Sequence, residues 1–270
     1  MRPRTARAAR LLASAAVAAV LALSVAGCKT TGDDITGSIA ASDAPRSDAD
    51  WRRSLEVWGA HYRENPNDAD VAMGYARALR ATDQRAQAVA VLQQATIRNP
   101  HNMPLLGAYG RALAEAGDYN QALDVLSRAH TPDNPDWRIL NAQGAVLDQL
   151  GRHAEAQGHY SAALKIVPND SSVLSNLGLS YALTKDLKRA EATLRQAVAR
   201  PDAAPKARQN LALVVGLQGR FAEAEKIASA DLPPDEAAAN VTYLRQMLAQ
   251  RGDWPKKGGR QFVPSPDAGT

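Results

Sequence analysis

The chain has 270 residues, 22% of them charged and 5% aromatic, with a formal net charge of +4 and a single cysteine. One cysteine excludes a disulfide within the chain. Residues 1–27 hold Arg2, Arg4, Arg7 and Arg10 and no acid, which leaves 28 basic against 28 acidic side chains beyond them, too balanced a body to present the dense basic face that nucleic-acid binding requires.

The four arginines precede an uncharged Ala/Leu/Val run from Leu11 to Gly27. That order is the basic and apolar signature of a secretory signal over residues 1–27, and the run is too short and alanine-rich for a membrane span. It ends in Val25-Ala26-Gly27-Cys28, which resembles the bacterial lipobox. The resemblance implies that Cys28 is lipidated on sulfur and becomes the first mature residue; the rival reading is an ordinary signal with a free thiol. Residues 28–48 are polar and without helical periodicity, a flexible tether with a root-mean-square span of about 25 Å. Lys29 stands where an Asp tends to retain lipoproteins at the inner membrane. The implied destination is therefore the outer membrane, lipid-anchored and facing the periplasm.

Trp51, Leu55, Trp58 and Tyr62 then mark one face of a helix over 49–64, closed by Asn65-Pro66. After it the chain repeats. Ala88, Ala122, Ala156, Ala190 and Ala224 stand 34 residues apart, and the same register places small residues at Ala76, Gly110, Gly144, Gly178 and Ala212. Leu79, Leu113, Leu147, Tyr181 and Val215 follow three residues later, and Ala95, Ala129, Ala163 and Ala197 form a further column that Asp231 breaks. Such a period marks stacked helical hairpins of the tetratricopeptide (TPR) kind. The expected fold is all-α: a TPR solenoid of about five hairpins over residues 49–251, with capping helices 49–64 and 235–251.

Repeats are expected near 69–102, 103–136, 137–170, 171–204 and 205–234, with helix pairs at 69–98, 103–130, 137–166, 171–199 and 205–230. The last second helix is expected to be short. Gly117, Gly151 and Gly219 mark the turn inside a repeat, where a helix end favours positive φ. Asp83 and Lys185 occupy the same column, so those two turns are expected to be built differently. Ala237, Val241, Leu244 and Leu248 give the final helix its apolar face, and residues 252–270 read as a disordered tail.

No phosphate loop, metal-ligand spacing or nucleophile–base pattern is legible. Gly107 and Gly110 belong to the helical repeat, and His153 and His159, six apart, fall on different sides of a helix. The expectation is a binding scaffold with no catalytic residue, no metal, no cofactor and no small-molecule substrate. In such hairpins the first helix of each pair lines the concave groove. Counting from the seams, that face holds Arg77, Arg80, Arg111, Arg138, Asn141, Ser175, Asn176, Leu179, Gln209, Asn210 and Leu213. The arginines suit carboxylates on a partner. Asn176 and Asn210, one repeat apart and expected to be solvent-accessible, suit a peptide backbone beside Leu179, Leu183, Leu213 and Leu217; the leucines also fit plain packing between repeats. The Lys/Asn set of chaperone-tail carboxylate clamps is missing.

The lipobox, the tether and the repeats from Trp51 to Gln250, with Pro135-Asp136-Trp137-Arg138-Ile139-Leu140 and Asp231-Leu232-Pro233-Pro234 as their least generic stretches, resemble the TadD-type lipoproteins of the Flp/Tad pilus assembly system. The resemblance implies a pilotin-like outer-membrane factor whose protein partner is a secretin or another pilus component. A periplasmic TPR adaptor for peptidoglycan enzymes or outer-membrane protein assembly is the alternative.

Overall fold

A side chain opens almost every hairpin, and a left-handed residue turns the chain inside it. The computed structural model describes residues 47–201 and 203–250. The signal segment, Cys28, the tether up to residue 46 and the tail lie outside the described residues. Those described form twelve α-helices and no strand. Helix α1 (Asp48–Glu64) is followed by the pairs α2 (Ala69–Ala81) and α3 (Arg85–Arg98), α4 (Met103–Ala116) and α5 (Tyr119–Ser127), α6 (Trp137–Gln149) and α7 (His153–Ile166), α8 (Ser171–Leu183) and α9 (Leu187–Val198), and α10 (Pro205–Leu217) and α11 (Phe221–Ala228). Helix α12 (Pro234–Gln250) closes the stack.

The starts of the first four pairs obey the 34-residue register as the core does. Asp68, Asn102, Asp136 and Asp170 accept from backbone amides of the first helical turn at 2.7–3.0 Å. Each thereby satisfies donors that have no partner within the helix. Ala204 breaks this column, and Pro205 at the first position of α10 takes over by needing no amide partner. Ser47 caps α1 by accepting from Asp50 N–H, so the last residues assigned to the tether are already part of a helix start.

The turns correct one expectation. Gly117, Gly151 and Gly219 have φ of 91°, 74° and 81°, and Asp83 and Lys185, expected to differ, have 62° and 65°. All five turns share one design, because in each the next amide reaches back five residues: Gln84 to Leu79, Asp118 to Leu113, Arg152 to Leu147, Asp186 to Tyr181 and Arg220 to Val215, at 2.8–3.3 Å. That bond satisfies a terminal carbonyl, and together with the packing of the hairpin it holds two residues with a Cβ in the left-handed region.

The alanine column is completely buried, with all five members at 0% exposure. Small residues opposite allow that closeness. A Cβ on Gly110 would stand 2.6 Å from Leu126, one on Gly144 2.6 Å from the Tyr160 ring, and one on Gly178 2.6 Å from Leu194. Trp51 seals one end of the core, and Ala237, Val241, Leu244 and Leu248 of α12 seal the other. The fifth second helix is short, at 8 residues, but α5 is nearly as short at 9 and stops before the expected residue 130. Ala129 stays buried in its column beyond the helix end.

Charges fasten the last two repeats. Glu191 of α9 pairs with Arg220 and with Arg195, which reaches Glu223 at 2.6 Å, and Gln218 donates to Glu191 at 2.8 Å. The Arg220 guanidinium, aided by Gln218 and Arg195, holds the Glu191 carboxyl down to about 2 against burial acting the other way.

Two outcomes test these fastenings. Left-handed backbone costs an L residue about 1–2 kcal/mol, partly offset by the greater unfolded freedom of glycine. Lys185→Gly should therefore raise stability by about 0.5–1 kcal/mol and Gly151→Ala lower it by about 1 kcal/mol in urea denaturation. For Glu191 the folded pKa lies below the unfolded one, so its contribution is complete above pH 4.5 and fades as pH falls toward 2. Part of the wild-type loss in melting temperature over that window should be missing in Glu191→Gln.

Candidate functional site

The first helices α2, α4, α6, α8 and α10 each touch the next first helix along the stack, whereas second helices show no comparable mutual contact. The stack thus curves toward the first helices, and these line its concave side. At the N-terminal end of that face, half-buried Arg77 lies over the Trp51 ring at 5.5 Å, and Arg138 lies over Trp137 at 4.5 Å. Stacking on an indole holds each guanidinium in place. Arg111, also half-buried, stands beside Gly107, where a Cβ would come within 3.3 Å of its Nη1 and 2.7 Å of Ile139.

Arg80 is already engaged. Its guanidinium meets both carboxylate oxygens of Glu115 on α4, at 2.7 and 2.5 Å. This pair ties the first repeat to the second, so the positive charge expected of Arg80 is balanced within the fold.

The asparagines correct a larger expectation. Asn141 is fully buried, at 0% exposure; its Oδ1 accepts from Asn176 Nδ2 at 2.9 Å and its own amide donates to Ser172 at 3.3 Å. Asn210 donates to the buried Ser175 at 3.0 Å. Asn176 and Asn210 are half-buried and hydrogen-bonded into the preceding repeat, not freely accessible. A buried amide needs its partners inside the protein, and the neighbouring first helix is the group near enough to supply them. Along α6, α8 and α10 these side chains form a polar seam beneath the groove. What remains on the surface of that half is Leu179 and Leu213, both half-buried, with Leu183 and Leu217 in the same state. Gln209 is half-buried as well.

A second polar junction was not anticipated. Asp148 of α6 accepts from Ser180 Oγ at 2.8 Å and Tyr160 OH at 3.1 Å, and meets His153 Nδ1 at 2.8 Å. Burial pushes the Asp148 carboxyl above its ordinary range, while the hydrogen bonds from His153, Ser180 and Tyr160 pull the other way. Tyr160 is held well above the ordinary phenol by burial first and by the Asp148 charge next. A signal for this junction does exist in the sequence. Tyr160 stands in the column of Leu92, Leu126 and Leu194, and Ser180 in that of Ala78, Ala112, Val146 and Val214. Serine, histidine and aspartate meet here, but Ser180 is fully buried and donates to the carboxylate rather than to His153. Its hydroxyl has no base and no access for a substrate, so the cluster joins repeats three and four and makes no nucleophile. Among the described residues no three His, Cys, Asp or Glu side chains are placed to hold a metal ion, and no helix is long and apolar enough to cross a membrane.

Two tetratricopeptide repeat family models match the chain, over residues 83–144 and 141–207. No curated protein matches it in sequence. Solved structures of similar fold include a tetratricopeptide repeat protein from Parabacteroides merdae, 12% identical over 72% of this chain and 78% of that one, with a TM-score of 0.63. PilW, described as a widely conserved type IV pilus biogenesis factor, is 15% identical over 72% of this chain and 91% of its own, also at 0.63. The anaphase-promoting-complex assembly Cut9–Hcn1 is 14% identical over 73% of this chain and 40% of that one, at 0.59. At these identities the likeness is one of fold.

The seam makes a definite prediction. Asn176→Ala removes the hydrogen bond to Asn141 and Asn210→Ala the one to Ser175, and each should cost about 0.5–1.5 kcal/mol. Thermal unfolding of the double variant should show a lowered midpoint. An unchanged midpoint would mean that both amides face solvent.

Proposed function

We propose that this tetratricopeptide-repeat solenoid is an outer-membrane lipoprotein that serves as a pilotin-like assembly scaffold for Flp/Tad pili and holds a segment of the secretin in its concave groove. TPR folds are typically non-enzymatic scaffolds for protein partners, and the groove is the surface this fold offers. The observation that carries the reading is the division of that groove. Arg77, Arg111 and Arg138 lie toward one end, two of them stacked on tryptophans, and half-buried Leu179 and Leu213 lie toward the other. A peptide with carboxylates near one end and apolar side chains near the other fits that division.

The pilus assignment draws support from the sequence resemblance to TadD-type lipoproteins, and PilW, a pilus biogenesis factor, has a similar fold. The lipobox around Cys28 supplies the anchor, and the tether would let the solenoid reach a ring in the same membrane.

The reading is tested in membranes by photocrosslinking from Leu179 and Leu213 with identification of the captured protein. A secretin should be recovered, and Leu179→Asp should reduce its capture about tenfold or more, because a carboxylate would be desolvated against an apolar partner. Cys28→Ala should leave the solenoid folded and release it from the outer-membrane fraction. Capture of peptidoglycan enzymes in place of a secretin would overturn the pilus assignment. Capture unchanged by Leu179→Asp would move the binding surface elsewhere.

A further inference from the structure

Between the second and third hairpins the regular pattern is interrupted. Helix α5 has 9 residues where α3 and α7 have 14. The chain then crosses to α6 through a segment pinned by a Thr131–Asn134 bridge, Asn134 N–H donating to Thr131 O at 3.1 Å. At this junction lies an open cleft of about 480 Å³, within the size range of ligand sites. Pro132, Pro135, Leu140, Ala162 and Ile166 make its lining mostly apolar, and Ile166 is 42% exposed. The two prolines restrict the backbone of that wall, so the cleft is largely formed before anything enters it.

Two side chains that can offer an N–H share this lining, His130 and Lys165. Nδ1 of His130 is shut off from solvent with no partner among the described residues, so a ligand in the cleft would have to be met by the other ring nitrogen. Lys165 is exposed and makes no ion pair among the described residues. Acids of the flanking elements are engaged elsewhere: Asp124 lies 3.9 Å from Arg128, Asp136 accepts the Arg138 amide, and Glu155 takes Arg152 through both oxygens. Asp133 is exposed on the connecting segment and does not line the cleft.

An apolar lining with two N–H donors and no acid is the complement of a carboxylate attached to an apolar group. We propose that this cleft is a second binding site, separate from the groove, for the C-terminal residue of a partner chain. Its apolar side chain packs on Leu140, Ala162 and Ile166, and its α-carboxylate is held between Lys165 and His130. The cleft is open to solvent, which suits one or two residues at a chain end and leaves a fatty acyl chain without the enclosure its apolar length would need. The proposal does not depend on which protein occupies the groove.

The test uses the full chain, isotopically labelled, and the tripeptide N-acetyl-Ala-Ala-Leu as free acid and as amide. Resonance shifts from the acid should cluster at residues 127–140 and 162–166 with half-saturation near the millimolar level expected of so small a ligand. The amide should bind about fivefold more weakly or worse, having lost a charge-assisted contact. Lys165→Gln, at an exposed position where folding is not at stake, should abolish the difference between acid and amide. Equal affinities in wild type, shifts centred on Leu179 and Leu213, or no shift at either segment would overturn the site. Laurate saturating the same residues at lower concentration than the tripeptide would overturn the choice of a chain terminus.

Discussion

Everything in this molecule depends on how closely two helices of a hairpin can approach. Alanine at one column and glycine or alanine at the facing column let the backbones come within reach of each other's side chains, and a single methyl at Gly110, Gly144 or Gly178 would already collide. From that distance follow the complete burial of the alanine column, the tight turn that needs a left-handed residue, and the stacking of each pair on the next. Each hairpin covers its apolar face only with its neighbours, so helices α1 and α12 are as necessary as the repeats they close.

The seams between successive hairpins are not uniform, and the difference shapes the groove. Toward the N-terminus, first helices meet through apolar side chains and the Arg80–Glu115 pair. Toward the C-terminus they meet through Asn141, Asn176, Ser175 and Asn210, and through the Asp148 junction. Hydrogen bonds of this kind add little net stability, but a misregistered seam would strand buried polar groups and be costly. The polar seam therefore favours one register between repeats. It also turns the asparagines inward, which leaves leucines on the surface of that half.

A surface composed in this way suits the capture of a chain segment more than chemistry. Buried Ser180 and half-buried His153 share a carboxylate with no hydrogen bond between them. Where the repeat pattern is locally broken, by the early end of α5, the molecule acquires its separate cleft. Regularity thus supplies the scaffold and irregularity supplies the distinct site.

Sequence by itself determined the fold, since the 34-residue columns carry contact distance, turn position and capping in residue types that have few other uses. It also placed Arg77, Arg111, Arg138, Leu179 and Leu213 on the first helices. Which of the polar residues on those helices stay accessible was decided by tertiary structure alone. Asn141 and Leu179 lie one turn apart in the register of the first helices, yet one is fully buried and the other half-buried, because the partner of an amide sits on the neighbouring repeat 35 residues away. The turns at Asp83 and Lys185 show the same limit. Local preference argues against a left-handed Lys by about 1–2 kcal/mol, and the closed hairpin that all five turns share overrides it.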